Sequence, residues 1–233
     1  MSSVSLANQK SEVAANIFSD LSRVLNSTGI PAQPFHPRNL ETFASLPSER
    51  QEAIVAHFEA YLETVKTAIL DPRKQDLTLE QEKALLAKTL KRLGLRHSEG
   101  SEEMLETGHI IEVYDQHSVQ LYRNFEFFRH SSYSLMDVVT TEWFRLYQRP
   151  QKITDALIEC ARQVFIHGKP VVPEVSEHIL REIYSGARKA YLLKVKAIYP
   201  LFEEKTGACT AILTKIKAEL IAEDSDADRI GIA

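Results

Sequence analysis

Few residues of this chain have the types and spacing that support covalent or metal chemistry. His109, His117 and His130 are close in sequence, but the segments carrying them read as strands and a short helix. Their spacing matches no familiar ligand set, so no metal site is expected. Cys160 and Cys209 are the two cysteines, far apart and not in a CxxC pair. They predict neither a disulfide framework nor a structural zinc site, and they fit a reducing cytoplasm. No Gly-rich phosphate loop, HExxH, GxSxG, kinase or cyclase signature occurs, which argues against an enzyme. What remains is an aromatic set: Phe125, Phe128, Tyr133, Trp143, Phe144, Tyr147, Phe165 and Tyr184, with Cys160 on an inward helical stripe. These residues are candidates to line a ligand pocket, and equally to fill a core.

The bulk composition narrows the partners. The chain has 233 residues, 44% of them hydrophobic and 26% charged, with a formal charge of −4. That balance predicts no general attraction to nucleic acid or to an anionic membrane. Arg181, Arg188, Lys189, Lys194 and Lys196 alternate with Tyr184 and Tyr191 on strand-like runs. The alternation reads as water-facing and core-facing sides of a sheet, with no role for nucleic acid. The first residues do not have a basic start followed by an apolar run, and no apolar run approaches the roughly 20 residues of a membrane span. A soluble cytoplasmic protein without membrane insertion is expected.

The elements that must position these residues fall into two halves. Residues 6–26 carry Val13, Ile17, Leu21, Val24 and Leu25 at helical spacing. Gly29, Pro31, Pro34 and Pro37 then mark a turn-rich linker, followed by a short helix over Leu40–Leu46. Ser48 and Gln51 form a capping-box pattern ahead of a stripe from Ile54 to Ile69, which Asp71-Pro72 ends. A further helix opens at Thr78, with Gln81 as its capping partner, and stops at Gly94. A short helical turn is expected over Glu102–Glu106. Two strands follow, in HIIEVYD and VQLY, joined at Asp115–Ser118. A helix over 152–167 ends at Gly168. The runs HILREIY, KAYLLKVKAIYPLF and CTAILTKIKAEL read as three more strands. The boundaries are therefore residues 1–98 for an all-helical region used in packing or dimerisation, 99–221 for a sheet domain, and 222–233 for an acidic flexible tail.

One stretch, Leu121 to Pro150, points further. Asn124 closes a strand, Phe125, Phe127 and Phe128 follow on a short helix, and Ser132-Tyr133-Ser134 makes a corner with Asp137 beyond it. The step Tyr199-Pro200-Leu201-Phe202 precedes Thr206-Gly207 near the last turn. This order resembles a PAS sensor domain over about residues 108–220, while the helical half matches no known family. The resemblance implies an α+β fold: a five-stranded antiparallel sheet in order 2-1-5-4-3, covered by helices. It also implies a non-enzymatic signalling or regulatory protein that binds a small molecule or a protein partner and signals through its helices. A homodimer formed in part by residues 6–26 is expected on the same ground. Asn124 is read as a structural turn, its amide satisfying backbone groups where strand becomes helix.

The resemblance excludes some chemistry. Flavin photosensors of this fold need a thiol where this chain has Trp143, so flavin–cysteine photochemistry is not expected. His167 is the one candidate for haem ligation. Its place at a helix C-terminus favours a surface cation, so no cofactor is expected. Two alternatives stay open. One is a small α+β enzyme or carrier with a pocket between helices and a curved sheet, needing His130, Asp155 or Glu159 to face inward. The other is a structural adaptor with a filled, degenerate PAS core.

Overall fold

The computed structural model describes residues 3–69, 79–98, 105–183, 185 and 187–222. Helices α1 (Ser3–Asn26), α2 (Pro37–Ser45), α3 (Ser48–Ile69) and α4 (Leu79–Arg92) come first, then strand β1 (Leu95–His97). Strands β2 (Ile110–Asp115) and β3 (Gln120–Arg123) lead into short helices α5 (Phe125–His130), α6 (Leu135–Thr140) and α7 (Trp143–Leu146). The chain closes with β4 (Tyr147–Gln148), α8 (Gln151–His167), β5 (His178–Glu182), β6 (Ala190–Glu203) and β7 (Cys209–Ala222). The fold is α+β. Asp71, Pro72, Thr78, residues 99–104, Tyr184 and residues 223–233 lie outside the described residues, so the helix ends and tail assigned to them are not addressed. Leu105 and Glu106 are irregular where a helical turn was expected.

A single antiparallel sheet runs in the order β3-β2-β7-β6-β5-β4, with β1 also paired to β6. It has seven strands where five were expected. The length of β6, 14 residues, accounts for one of the extra two. Its second edge is shared: β5 pairs with Ala190–Leu193 at one end and β1 with Leu201–Glu203 at the other. Between them Val171 bridges Ile198. The region expected to be wholly helical therefore ends as a sheet edge. Gly94, at φ 65°, stops α4 and turns the chain straight into β1, and its carbonyl accepts from Glu204 N at 2.8 Å.

The helical half packs on itself. Ala14, Ile17, Phe18, Leu21 and Leu25 of α1 are buried, as are Ile54, Phe58, Tyr61, Leu62 and Val65 of α3. The Phe18 and Phe58 rings meet at 4.9 Å. Full burial of each such side chain contributes about 1.5–3 kcal/mol. Much of the α1 stripe expected to help form a homodimer packs against α3, while Val13 is 42% exposed. The Ser48/Gln51 pair does not act as a capping box. Gln51 Nε2 donates instead to Ala44 O (3.1 Å) and Leu46 O (2.8 Å). The cause is proximity: α2 ends just before α3 begins, and its orphan carbonyls fall within reach of the new helix's first turn.

Buried polar contacts tie this half to the sheet domain. Asn39 Nδ2 on α2 donates to Asp137 Oδ1 at 2.7 Å, and Ser134 Oγ donates to Asn39 Oδ1 at 3.2 Å. Ser134 and Asp137 cap α6 reciprocally. On α3, Tyr61 packs edge-on to Tyr122 of β3 and donates to Arg123 O at 3.0 Å. Beside it, burial lowers the pKa of His57 to about 4, opposed by a hydrogen bond to the Leu121 backbone and reinforced by the Arg123 and Arg92 charges. The folded state therefore holds a neutral imidazole, while the unfolded chain protonates near pH 6.5. His57 stability is present above that pH and is lost as pH falls toward 4, by up to about 3 kcal/mol. Urea unfolding at pH 7 and pH 4.5 should show His57→Leu losing about 2 kcal/mol less than the wild type. Equal losses in both proteins would reject the assignment.

Gly168 ends α8 at φ 59°, donating its N–H to Val164 O at 2.8 Å. A Cβ placed there would meet the Phe202 ring at 3.2 Å. Gly168→Ala is expected to cost about 1–2 kcal/mol, from the left-handed backbone plus displacement of Phe202. The urea midpoint checks this, and an unchanged midpoint would show that the turn relaxes freely.

Candidate ligand-binding cavity

A cavity of about 700 Å³ lies between one face of the sheet and helix α8, with α7 and the end of α5 at its margin. Strand pleating selects the sheet residues that line it. From β2 the set spaced by two is Ile110, Glu112 and Tyr114, with Asp115 beyond it, and from β7 it is Ile212, Thr214, Ile216 and Ala218, with Cys209 at the strand's start. From β6 the set is Tyr191, Leu193 and Val195, then Ile198. The change of parity follows a register shift between Val195 and Ala197, which turns the later residues over. The α8 wall comes from Leu157, Ala161 and Phe165, one face at intervals of four. Phe144 (37% exposed), Ile158 (46%) and Ile166 (57%) line the cavity yet reach the surface, so they mark its mouth.

One end of this apolar space is polar. Glu112 is buried, and its Oε1 accepts from Gln120 Nε2 at 2.6 Å and from Tyr114 OH at 3.0 Å. Burial pushes the Glu112 carboxyl above the usual carboxylate range, against the lowering pull of Tyr114, Arg123, Arg149 and Gln120. Arg149 lines the same end, its guanidinium 5.1 Å from the centre of the Trp143 ring. Its Nε is buried without a hydrogen-bond partner, and no carboxylate lies within ion-pair distance of it among the described residues. Burial lowers the Arg149 pKa, partly offset by Tyr147, Tyr114 and Glu112.

The sequence-derived candidates divide. Trp143, Phe144, Tyr147 and Phe165 line the cavity. Phe125, Phe128 and Tyr133 are buried elsewhere, and Cys160 lies on α8 away from the lining. Tyr184 is outside the described residues. Tyr133 donates its hydroxyl to Leu146 O and accepts from Ile183 N at 2.9 Å, so it fastens α7 to the end of β5. Asn124 caps α5: Oδ1 accepts from Phe127 N (3.3 Å) and Ile111 N (3.0 Å), and Nδ2 donates to His109 O (2.8 Å). His167 is exposed at the end of α8, off the cavity.

The enzyme alternative needed three groups inside. His130 lines the wall, with Nδ1 3.0 Å from Glu126 O. Asp155 and Glu159 are on the exposed face of α8, where Glu159 pairs with Arg162 at 2.6 Å. Burial raises the pKa of both Cys160 and Cys209, the opposite of nucleophile activation. Among the described residues no cluster of His, Cys, Asp and Glu could hold a metal.

Sequence reasoning missed Glu112, Tyr114, Gln120 and Arg149. A usable signal was present for the first two. Glu112 sits between Ile110 and Tyr114 on the same pleat of an otherwise apolar strand, where a charge must be buried or functional. Arg149 carried no such signal. Arg123, 2% exposed, was missed as well. Its guanidinium lies 5.9 Å from the Phe58 ring of α3, and 5.1 Å and 5.6 Å from Phe127 and Phe128 of α5. Comparison with known proteins adds no identity: no protein-family model and no curated protein matches the chain.

Proposed function

We propose that this chain is a PAS-like regulatory module that is not an enzyme, binds a small molecule between sheet and helices, and passes its response to a protein partner or a second copy. The observation that carries this is the cavity of about 700 Å³, apolar along its length and polar at one end, which fits a drug-sized molecule. A filled adaptor core has no use for such a space. The strand order β3-β2-β7-β6-β5 is compatible with the PAS-like reading: with the two-residue β4 left out of the count, it runs 2-1-5-4-3 from β2. The place of Asn124 at the β3–α5 turn supports it too.

A route from cavity to helices supports the signalling half. Glu112, on the cavity wall, stands directly across from Arg123 on β3, and Arg123 lies against Phe58 of α3. A ligand that moves Glu112 would act on a packed contact of the helical half, which is the kind of coupled element a population shift needs. Among the described residues no helix is long and apolar enough to cross a membrane, and the proposal places the module in the cytoplasm.

Native mass spectrometry of protein purified from its own host tests the reading. The expected result is a retained small molecule on the wild type and none on Ala161→Trp, whose indole fills the α8 side of the cavity. A wild type without adduct, and without thermal stabilisation by any member of a small-molecule library, would overturn it.

A further inference from the structure

We infer that the ligand of this cavity is a hydrophobic monocarboxylate, with its chain along α8 and its carboxylate received by Arg149 beside Trp143. This rests on the reading of the cavity as a binding site and adds the chemical class of its occupant.

Three observations converge on it. The first is the unspent cation. Arginine presents five donors in a fixed fork that matches a carboxylate, and half-buried Arg149 holds one of them, Nε, away from water without an acceptor. Arg149 stacks on Trp143 and lines the cavity with a buried Nε that meets no acceptor. The ring face stabilises the charge but accepts none of its hydrogen bonds.

The second is the state of the neighbouring carboxyl. A ligand anion beside an ionised Glu112 would be repelled. Burial raises the Glu112 pKa above the usual carboxylate range, which lessens that repulsion, and its Oε1 already takes hydrogen bonds from Gln120 and Tyr114. Gln120 and Tyr114 engage that carboxyl, so the guanidinium of Arg149 is left to receive the carboxylate of a ligand at the same end.

The third is the remainder of the space. Leu157, Phe165, Leu193, Val195, Ile212 and Ile216 make a mainly apolar wall, interrupted by polar side chains such as His130, Ser131 and Thr214. The mouth is flanked by exposed Ile158 and Ile166. A molecule with one anionic head and an apolar chain matches both ends. A polyol or a sugar would set most of its hydroxyls against that apolar wall.

Trp143 is the sole tryptophan of the chain and lies at the polar end, so its fluorescence reports occupancy directly. The probes are decanoate, 1-decanol and decylamine, titrated below their aggregation concentrations. Decanoate is expected to bind about 10- to 100-fold more tightly than decanol, the range for a charge-assisted hydrogen bond in a dry site, and decylamine more weakly than either. Arg149→Met should remove the preference for the acid while leaving decanol affinity within about threefold. Arg149→Lys should recover part of it. Equal binding of acid and alcohol by the wild type would overturn the inference without any variant, as would an acid preference that survives in Arg149→Met. Two controls separate this inference from the cavity reading. Decanol binding abolished by Ala161→Trp, together with equal acid and alcohol affinity, rejects the carboxylate and keeps the cavity. Binding of all three probes unaffected by Ala161→Trp rejects the cavity and the carboxylate together.

Discussion

Asn124→Ala is expected to lower the unfolding free energy by about 3–5 kcal/mol. The side chain is 1% exposed and serves three backbone groups at once: the N–H of Ile111, the N–H of Phe127 and the carbonyl of His109. Alanine leaves all three buried without partners. Each costs about 1–3 kcal/mol, reduced where the backbone relaxes toward water. A domain of ordinary stability holds only about 5–15 kcal/mol, so the loss takes a large share of it. Asn124→Asp keeps the two acceptor roles but sets a carboxylate against the His109 carbonyl, so it should recover only part. Urea unfolding gives the energies, and hydrogen exchange at Ile111 reports the local effect. A loss under 1 kcal/mol would mean that water replaces the amide.

Glu182→Ala is the second large effect, expected at about 3–4 kcal/mol. The carboxylate is 1% exposed and accepts from Ser132 N (2.9 Å), Ser132 Oγ, Ser185 Oγ (2.6 Å) and Lys189 N (3.3 Å). It pins the corner at Ser132 to the connection between β5 and β6. Buried hydrogen bonds to a charged acceptor contribute more than neutral ones, and removing the acceptor strands four donors together. Glu182→Gln retains one good acceptor and should cost about half as much. The loss should appear as a lower urea midpoint together with shifted amide resonances at Ser132 and Lys189. If Glu182→Gln matched alanine in cost, the charge itself would be the stabilising feature.

These two residues differ in how far the sequence exposed them. Asn124 was legible because capping is local: an Asn at the end of a strand pattern, just before an aromatic helix, has a short list of uses. Glu182 was not singled out. Its donors come from Ser132 and from Ser185 and Lys189, and nothing local says that a glutamate in HILREIY will be the buried one.

The same division runs through the cavity. Hydrophobic spacing located α1, α3, α8 and the long strands, since periods of 3.6 and 2 are properties of the chain alone. The glycine at 168 marked the end of α8, and the resemblance carried by Leu121–Pro150 implied the α+β class. Spacing could not sort the aromatics. Phe125 and Phe128 went into packing and Phe165 and Trp143 onto the cavity, because that choice depends on where α5 and α8 settle on the sheet. It could not place β1 either, since a three-residue strand has no period to read, and its pairing partner β6 lies about a hundred residues further on.

Local chemistry in the sequence therefore determined the long helices and strands and some of their ends, such as Gly94 and Gly168. The tertiary structure alone decided what the elements enclose. A parity change in the middle of β6 sets which of its side chains face the cavity. Strand pairing brings Gln120 beside Glu112, and the approach of the segment after α7 adds Arg149 to the same end. Each of those residues is an ordinary surface type in isolation. The shielding of Glu112 and of the Arg149 Nε from water comes from elements distant in sequence, so it belongs to the assembled fold.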